Sequence, residues 1–471
     1  MLCSVTTASA QTANPAPTPP MGWNSWDAYG LRITEAQFRD NVAVLRNRLL
    51  PFGWRYAVID EGWFFENPED RPKPDTLHYA LDAHGRYVPV PARFPSARSD
   101  VHAVTETRAA QAKLAATIEE TSFKPLADWV HAQGLLFGIH IVHGIPRASV
   151  ERNMPIADSG FHAQDAADTN DACPWDPTNW GVKDNAAGQA WYDALIKQYA
   201  AWGVDFLKVD CILEKTYKPT EIRQIRRAID KTGRKMVLSL SEGPANPSHE
   251  PELASLSNMW RISDDFWDTW AATKPGQTFP QPLKGQFDHL AKWSSFDLKP
   301  GQWPDADMLP FGELRPSPGW GEPRHTRLTP DEQKTVMTLW AITQSPLILG
   351  ANLTRLDDAA LKLLTNREVL AIDQNAVVRG HPLNVDQQGD LRVWQAEAQS
   401  VHGGIVNVVG LFNLGDAQLY VDKSAAALHF TTRRDSPANA INVWTGERVP
   451  DRNRIQVTIP PHGCVLLLER R

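Results

Sequence analysis

Pro19-Pro20-Met21-Gly22-Trp23-Asn24-Ser25-Trp26-Asp27 is a short apolar segment that runs into a cluster of Trp and acid. The same form returns downstream. Lys208-Val209-Asp210-Cys211 closes an apolar run, and Trp260-Arg261-Ile262-Ser263-Asp264-Asp265 and Trp303-Pro304-Asp305-Ala306-Asp307-Met308-Leu309 repeat it. A parallel barrel displays its active site in this way, at the carboxyl ends of successive strands. Acids gathered from separate strands and surrounded by Trp suit the chemistry of sugars.

Outward from these stretches, periodicity predicts strands over 20–26, 55–60, 136–142, 204–210, 235–241, 258–263, 301–305 and 343–349. Several are near-continuous apolar runs, as buried parallel strands should be. Amphipathic stretches lie between them at 34–50, 122–133, 186–202, 219–231 and 330–342, the last entered through Thr329-Pro330-Asp331-Glu332, a cap followed by first-turn acids. This alternation predicts an α/β fold, a (β/α)₈ TIM barrel over 19–378. Two connections, 62–121 and 144–186, are long enough to roof a site. Beyond them the pattern shortens to alternating segments such as 391–396, 404–409 and 455–459, which predict a C-terminal antiparallel β-sandwich over 379–471.

The chain has 471 residues, 42% apolar and 22% charged, with a net charge of −7. That balance, without a basic run, argues mildly against a nucleic-acid partner. No apolar stretch reaches the length of a membrane helix. The 18 Trp exceed what packing alone calls for, and a flat indole stacks well on a pyranose. Residues 1–18 read as a signal-peptide remnant and linker. Ala8-Ser9-Ala10 before Gln11 fits the small-residue cleavage rule, although the basic and long apolar parts of a full signal are missing. Export to the periplasm or the medium is the expectation. Of four Cys, Cys3 would leave with the signal and Cys464 reads as a buried strand residue. Cys173 and Cys211 each stand beside a suspected site segment, and in an exported protein a disulfide between them is expected. Their spacing fits none of the common zinc patterns, and the motifs call for no cofactor.

Residues two apart on a strand share a face. Lys208 and Asp210 should therefore face inward together, the cation holding the carboxylate ionised as a nucleophile requires. By the same parity Arg261, Ser263 and Asp265 face the mouth and Asp264 turns away. Asp265, near an ionised Asp210, is expected to be held protonated by like-charge repulsion, as a general acid requires. Two such carboxyls are the apparatus of glycoside hydrolysis.

Together these residues resemble glycoside hydrolase family 27, the α-galactosidases and α-N-acetylgalactosaminidases. The resemblance rests on Met21-Gly22-Trp23-Asn24-Ser25-Trp26, Lys208-Val209-Asp210-Cys211, Arg261 with Asp265, and Asp305-Ala306-Asp307-Met308-Leu309, with weaker support from Leu339-Trp340-Ala341-Ile342 and Ile372-Asp373-Gln374-Asn375. It implies a retaining double displacement on a terminal α-D-galactose of an oligo- or polysaccharide. Asp210 would be the nucleophile and Asp265 the acid/base. Lys208, Arg261 and Asp307 would bind the sugar, Trp23 would floor its pocket, and Asp60 would grip the 4- and 6-hydroxyls. Cys173 and Cys211 resemble a pair that forms a disulfide at the pocket edge.

The chain also departs from the family. Glu61 stands where a second Asp is common, and its extra methylene reaches about 1.3–1.5 Å further, where it crowds a C6 group. Gly62 stands where many members have Cys, and as a glycine it offers slack to absorb that length. His140 stands where many have Tyr, and is placed with Glu61 and Glu242 among the expected substrate-binding residues. Asp210 and Cys211 are adjacent, where an extra residue is common. Glu242-Gly243-Pro244-Ala245 resembles the loop that reads the sugar 2-position, its acid suited to a hydroxyl. Four other readings stay open from sequence. They are a β-L-arabinopyranosidase, an isomalto-type glucan hydrolase, a non-catalytic carbohydrate-binding barrel, and a metal-dependent barrel hydrolase using His140 and His143. Oligomeric state does not follow from the sequence.

Overall fold

The apolar runs form a ring. In the computed structural model, which describes residues 14–70, 76–98, 121–213, 217–315, 320–383, 389–430, 440–449 and 453–469, eight parallel strands follow one another around a barrel. They are β1 (Met21–Asn24), β2 (Tyr56–Ile59), β3 (Leu136–Val142), β4 (Phe206–Asp210), β5 (Val237–Leu240), β6 (Met259–Arg261), β7 (Trp303–Asp305) and β8 (Leu347–Leu349). Neighbours in sequence are neighbours in the sheet, and β8 returns to pair with β1. The ring closes just past β7, where Leu309 bridges Leu349. Ala8-Ser9-Ala10 and Cys3 lie outside the described residues.

The main helices that follow the strands are α1 (Glu35–Val44), α2 (Lys124–Ala132), α3 (Ala186–Trp202), α4 (Pro219–Thr232), α5 (Glu250–Leu256), α6 (Leu283–Trp293), α7 (Pro330–Thr343) and α8 (Asp358–Leu364). Their starts follow local chemistry. Thr34 and Gln37 form a capping box on α1, and Thr329 and Glu332 form one on α7, with Pro330 at its first position.

Inward-facing residues change character up the barrel. At the amino-terminal end they are apolar: Tyr56, Val58, Phe206, Val237, Met259 and Trp303 form one buried cluster. Two residues further along, the same face carries Lys208, Ser239, Arg261 and Asp305. Polar chemistry therefore collects at the carboxyl ends.

Ala16 belongs to that lower cluster, which corrects the reading of the segment before residue 19 as a linker. Trp303 Nε1 donates to Ala16 O at 2.9 Å, Asn14 Nδ2 to Pro300 O at 2.9 Å and Gln374 Nε2 to Pro19 O at 2.9 Å. Residues 14–20 thus cover the lower mouth of the barrel, because the apolar layer inside it needs a lid.

The C-terminal sheets are β9 (Ala376–Pro382), β10 (Leu391–Gln399), β11 (Ile405–Asn413), β12 (Leu419–Ser424), β13 (Ala440–Asn442), β14 (Arg454–Ile459) and β15 (Cys464–Glu469). Five pair in the order β9-β10-β11-β15-β13 and face the β12-β14 pair across a core that includes Val393, Leu411, Val421 and Ile455. β9 runs through the boundary expected at 378/379. The outer face of the five-stranded sheet packs on the barrel. Trp394, Phe412 and Leu466 join the barrel core, and the Phe412 ring lies 5.1 Å from that of Phe287. α7, sandwiched between the two bodies, is buried over most of its circumference. Cys464 sits in this interface with its thiol 3.2 Å from Thr338 Oγ1. Among the described residues no helix is long and apolar enough to cross a membrane.

Candidate active site

A pocket of ≈ 250 Å³ opens at the carboxyl ends of the strands. Trp26, Asp60, Glu61, Lys208, Asp210 and Arg261 line it, with Trp175, Ser241, Glu242, Asp265 and Met308. It is smaller than a drug-sized site of about 300–1,000 Å³, and its scale is that of a single sugar ring.

Asp60 follows β2 and is held from several sides. Asn24 Nδ2 donates to its Oδ2 at 2.6 Å, Lys208 Nζ to the same oxygen at 2.9 Å, and the Glu61 N–H to its Oδ1 at 2.9 Å. Burial pushes the Asp60 pKa up, but the Lys208 ammonium and then His140 outweigh it and hold the carboxyl well below its usual range. Lys208 answers in kind. Burial disfavours its charge, yet Asp60 and then Asp210 hold it above its ordinary pKa.

Asp210 ends β4. His140 Nε2 lies 3.3 Å from its Oδ2, and the Cys211 N–H donates to its Oδ1 at 2.7 Å. Burial again pushes the pKa up, and the His140 contact, then Lys208 and the Cys211 N–H, bring it below the ordinary value. The sequence reading assigned that role to Lys208 alone. In the structure Lys208 makes its ion pair with Asp60, and His140 is the side chain closest to Asp210. His140, expected among the substrate-binding residues, is 1% exposed and stands beside the carboxylate.

Arg261 ends β6 and spans two acids, with Nη2 3.2 Å from Asp265 Oδ1 and 2.9 Å from Asp307 Oδ2. The strand stops at Arg261, so parity does not carry on to Ser263, whose Oγ accepts from Gln286 Nε2 at 2.8 Å on the α6 side. Asp265 reaches the pocket through the loop that follows. Its side chain is 32% exposed against 17% for Asp210, so it sits nearer the rim.

Two expected ligands lie elsewhere. Trp23 is fully buried on the helix side of β1. Its Nε1 donates to Ala351 O at 2.8 Å and its ring meets Phe38 at 5.9 Å. Asn24 takes the inward face, and Trp26 supplies the aromatic surface in the pocket instead. Asp307 lies beneath the pocket in the barrel interior, with Asp305 and Arg261. Its Oδ2 accepts from the Phe266 N–H at 2.7 Å. Burial pushes its pKa up to about 7 against the pull of Arg261. It braces Arg261 from below.

Sequence reasoning passed over Trp26, Trp175, Ser241 and Met308. Trp26 stands in the opening motif, two residues beyond inward-facing Asn24, and could have been found there. Trp175 follows Cys173, which is bonded to Cys211 with Cα atoms 5.9 Å apart. The bond ties the roof loop to the residue after Asp210.

Among the described residues, His143, Asp171 and Glu221 are the group whose ligand atoms cluster as a metal site requires. They are already engaged with protein groups. His143 Nδ1 lies 3.1 Å from both Glu221 oxygens, Tyr192 OH donates to Glu221, and Lys218 pairs with Asp171.

A parallel barrel with two carboxyls, a Lys–Asp pair and Arg around one ring-sized pocket defines a glycoside hydrolase. Comparisons place it more narrowly. Residues 182–375 match the family profile described as Alpha galactosidase A, and residues 388–468 match the Alpha galactosidase C-terminal beta sandwich domain. A solved β-L-arabinopyranosidase of family 27 from Geobacillus stearothermophilus is 37% identical with a TM-score of 0.83, covering 98% of this chain and 99% of its own. Alpha-galactosidase A of Cellvibrio japonicus is 25% identical over 99% of this chain and 95% of its own length. The alpha-galactosidase of Coffea arabica is 28% identical over 80% and 75%. The chain belongs to glycoside hydrolase family 27.

Proposed function

We propose that this protein is a retaining exo-glycosidase that removes terminal α-D-galactose from glycans by double displacement. The observation that carries the reading is the pair of carboxyls lining one pocket. Asp210 is held ionised at depth, and Asp265 stands at the open rim. Asp210 attacks the anomeric carbon and forms a glycosyl-enzyme. Asp265 protonates the departing oxygen and then takes a proton from the water that releases the sugar. Lys208, Asp60, Glu61, Glu242 and Arg261 hold hydroxyls, and Trp26 and Trp175 offer flat apolar faces to the ring. The test is proton NMR of the first sugar released from p-nitrophenyl α-D-galactopyranoside. The α anomer is expected first; the β anomer first, or no turnover of any aryl glycoside, overturns the reading.

A second reading is preference for β-L-arabinopyranosides, which are galactosides without the C6 group. The 37% identical relative carries that activity in its name, and Glu61 favours it. Glu61 is 5% exposed and lines the pocket. Gly62 is closely packed: a Cβ there would overlap Leu31, and the Gly62 carbonyl accepts from Arg93 Nη1 at 2.5 Å. These contacts oppose a retreat of the backbone, which supports the longer arm of Glu61 reaching into the pocket it lines. On this reading Glu61→Asp shifts the ratio of kcat/KM values toward the galactoside by about 10–200-fold, the worth of one methylene. Assaying both aryl glycosides on both enzymes checks it, and an unchanged ratio removes Glu61 from the choice at C6.

Export is part of the same proposal. The Cys173–Cys211 bond suits an oxidising compartment, and Ala8-Ser9-Ala10 supplies a cleavage signature.

A further inference from the structure

The loop that carries Asp265 leans on the C-terminal sandwich. It runs from the end of β6 to the start of α6, residues 262–282. Near Asp265 the barrel holds it. The Phe266 N–H donates to Asp307 Oδ2 at 2.7 Å, and Arg324 Nε donates to both oxygens of buried Asp268, at 3.1 and 2.9 Å. Where the loop returns, the Gln281 N–H donates to Asp265 O at 2.8 Å. The carbonyls of Thr269 and Trp270 accept the first N–H groups of α6, those of Leu283 and Lys284, both at 2.9 Å. Residues 271–276 are exposed, and Trp270 stands partly buried just before them.

Across the domain boundary Trp270 meets His462, in the turn between β14 and β15. The two rings are stacked, their centroids 4.1 Å apart and their planes 13° from parallel. His462 is itself held on two sides, with Nδ1 2.7 Å from Glu332 Oε1 and Nε2 2.8 Å from Asp416 Oδ1. Glu332 is fixed in turn by the capping box of α7, its other oxygen accepting the Thr329 N–H at 2.7 Å. Thr335 Oγ1, on the same helix, donates to His462 O at 2.7 Å. A ring engaged at both nitrogens has its plane set, and that plane backs Trp270. We propose that His462 is a positioning residue for Asp265: it fixes Trp270, and through it the loop that presents the carboxyl at the rim. The inference rests on the proposed function, in which Asp265 protonates the departing oxygen. Such a transfer needs the acid within about 2.6–3.2 Å of that oxygen, and a shift of about 1 Å caused far from the chemistry costs about 100-fold.

The test compares kcat/KM on two glycosides of the sugar that the wild type prefers, galactose or arabinopyranose. A dinitrophenyl glycoside leaves without a proton, and a methyl glycoside needs one. His462→Ala is expected to lower kcat/KM about 5–50-fold on the methyl glycoside and less than about twofold on the dinitrophenyl one. Trp270→Ala, on the barrel side of the contact, should give the same pattern, and it guards against a His462→Ala chain that does not fold. The double variant should lose no more than the weaker single variant, because both act through one contact. His462→Phe, which keeps a flat ring against Trp270, should recover part of the loss. No loss on the methyl glycoside, equal loss on both glycosides, or losses that multiply in the double variant overturn the assignment and leave the proposed function intact. A wild type that cleaves neither glycoside, or an Asp265→Ala variant that loses equally on both, would instead sink the function or the part Asp265 plays in it.

Discussion

Asp210 and Asp265 differ in surroundings more than in kind. The first is wrapped by His140, the Cys211 N–H and Lys208 at depth, and the second meets Arg261 at the rim. Asp210→Ala should abolish turnover of aryl glycosides, because no glycosyl-enzyme can form. Azide should restore at most an inverted glycosyl azide, and NMR of the product reads this; a variant that keeps most of its rate excludes Asp210 as nucleophile. Asp265→Ala should cost about 10²–10⁴-fold on poor leaving groups and far less on activated phenols. A kcat/KM series across leaving groups checks this, and a uniform loss removes Asp265 from proton transfer. Both acids could be picked out as candidates in the sequence, Asp210 because it closes an apolar run and Asp265 because it follows one, four residues past Arg261. Which neighbours tune them could not be read there. The His140–Asp210 contact depends on the pairing of β3 with β4, in which His140 stands opposite Lys208 and Val142 opposite Asp210, and no local pattern encodes a register between distant strands.

At the scale of elements, the barrel strands could be read because each is buried on both sides and therefore apolar throughout. That same continuity hid which residues face inward. β1 is four residues long and buried at every position, so nothing in it distinguished Trp23 from Asn24. Parity failed again beyond Arg261, where β6 ends and a loop takes over. The roof loop depends on the bond between Cys173 and Cys211, 38 residues apart in sequence. Chain-entropy arguments put its contribution at about 4 kcal/mol as an upper figure. Cys173→Ser should lower the unfolding free energy by no more than this and raise KM, since Trp175 would lose its tether. Denaturant titration with steady-state kinetics reads both, and a variant unchanged in stability and KM would show that the loop holds itself.

For the whole molecule, the sandwich completes the barrel's cover. α7 is buried over most of its surface, and Trp394, Phe412 and Leu466 lie against the barrel core. Each large apolar side chain uncovered costs about 1.5–3 kcal/mol, against a typical net stability of about 5–15 kcal/mol. A chain ending at residue 375 should therefore be insoluble, or bind the dye ANS strongly where the full chain does not. A soluble, dye-silent and active truncation would show the barrel to be self-sufficient. The opposite end of the molecule has a bearing of another kind. Residues 14–20 seal the floor of the barrel, and the pocket opens at its ceiling. A molecule tethered to a bead or a cell surface through that leading segment would stand upright. Its mouth would point away from the support, toward whatever long polymer drifts past.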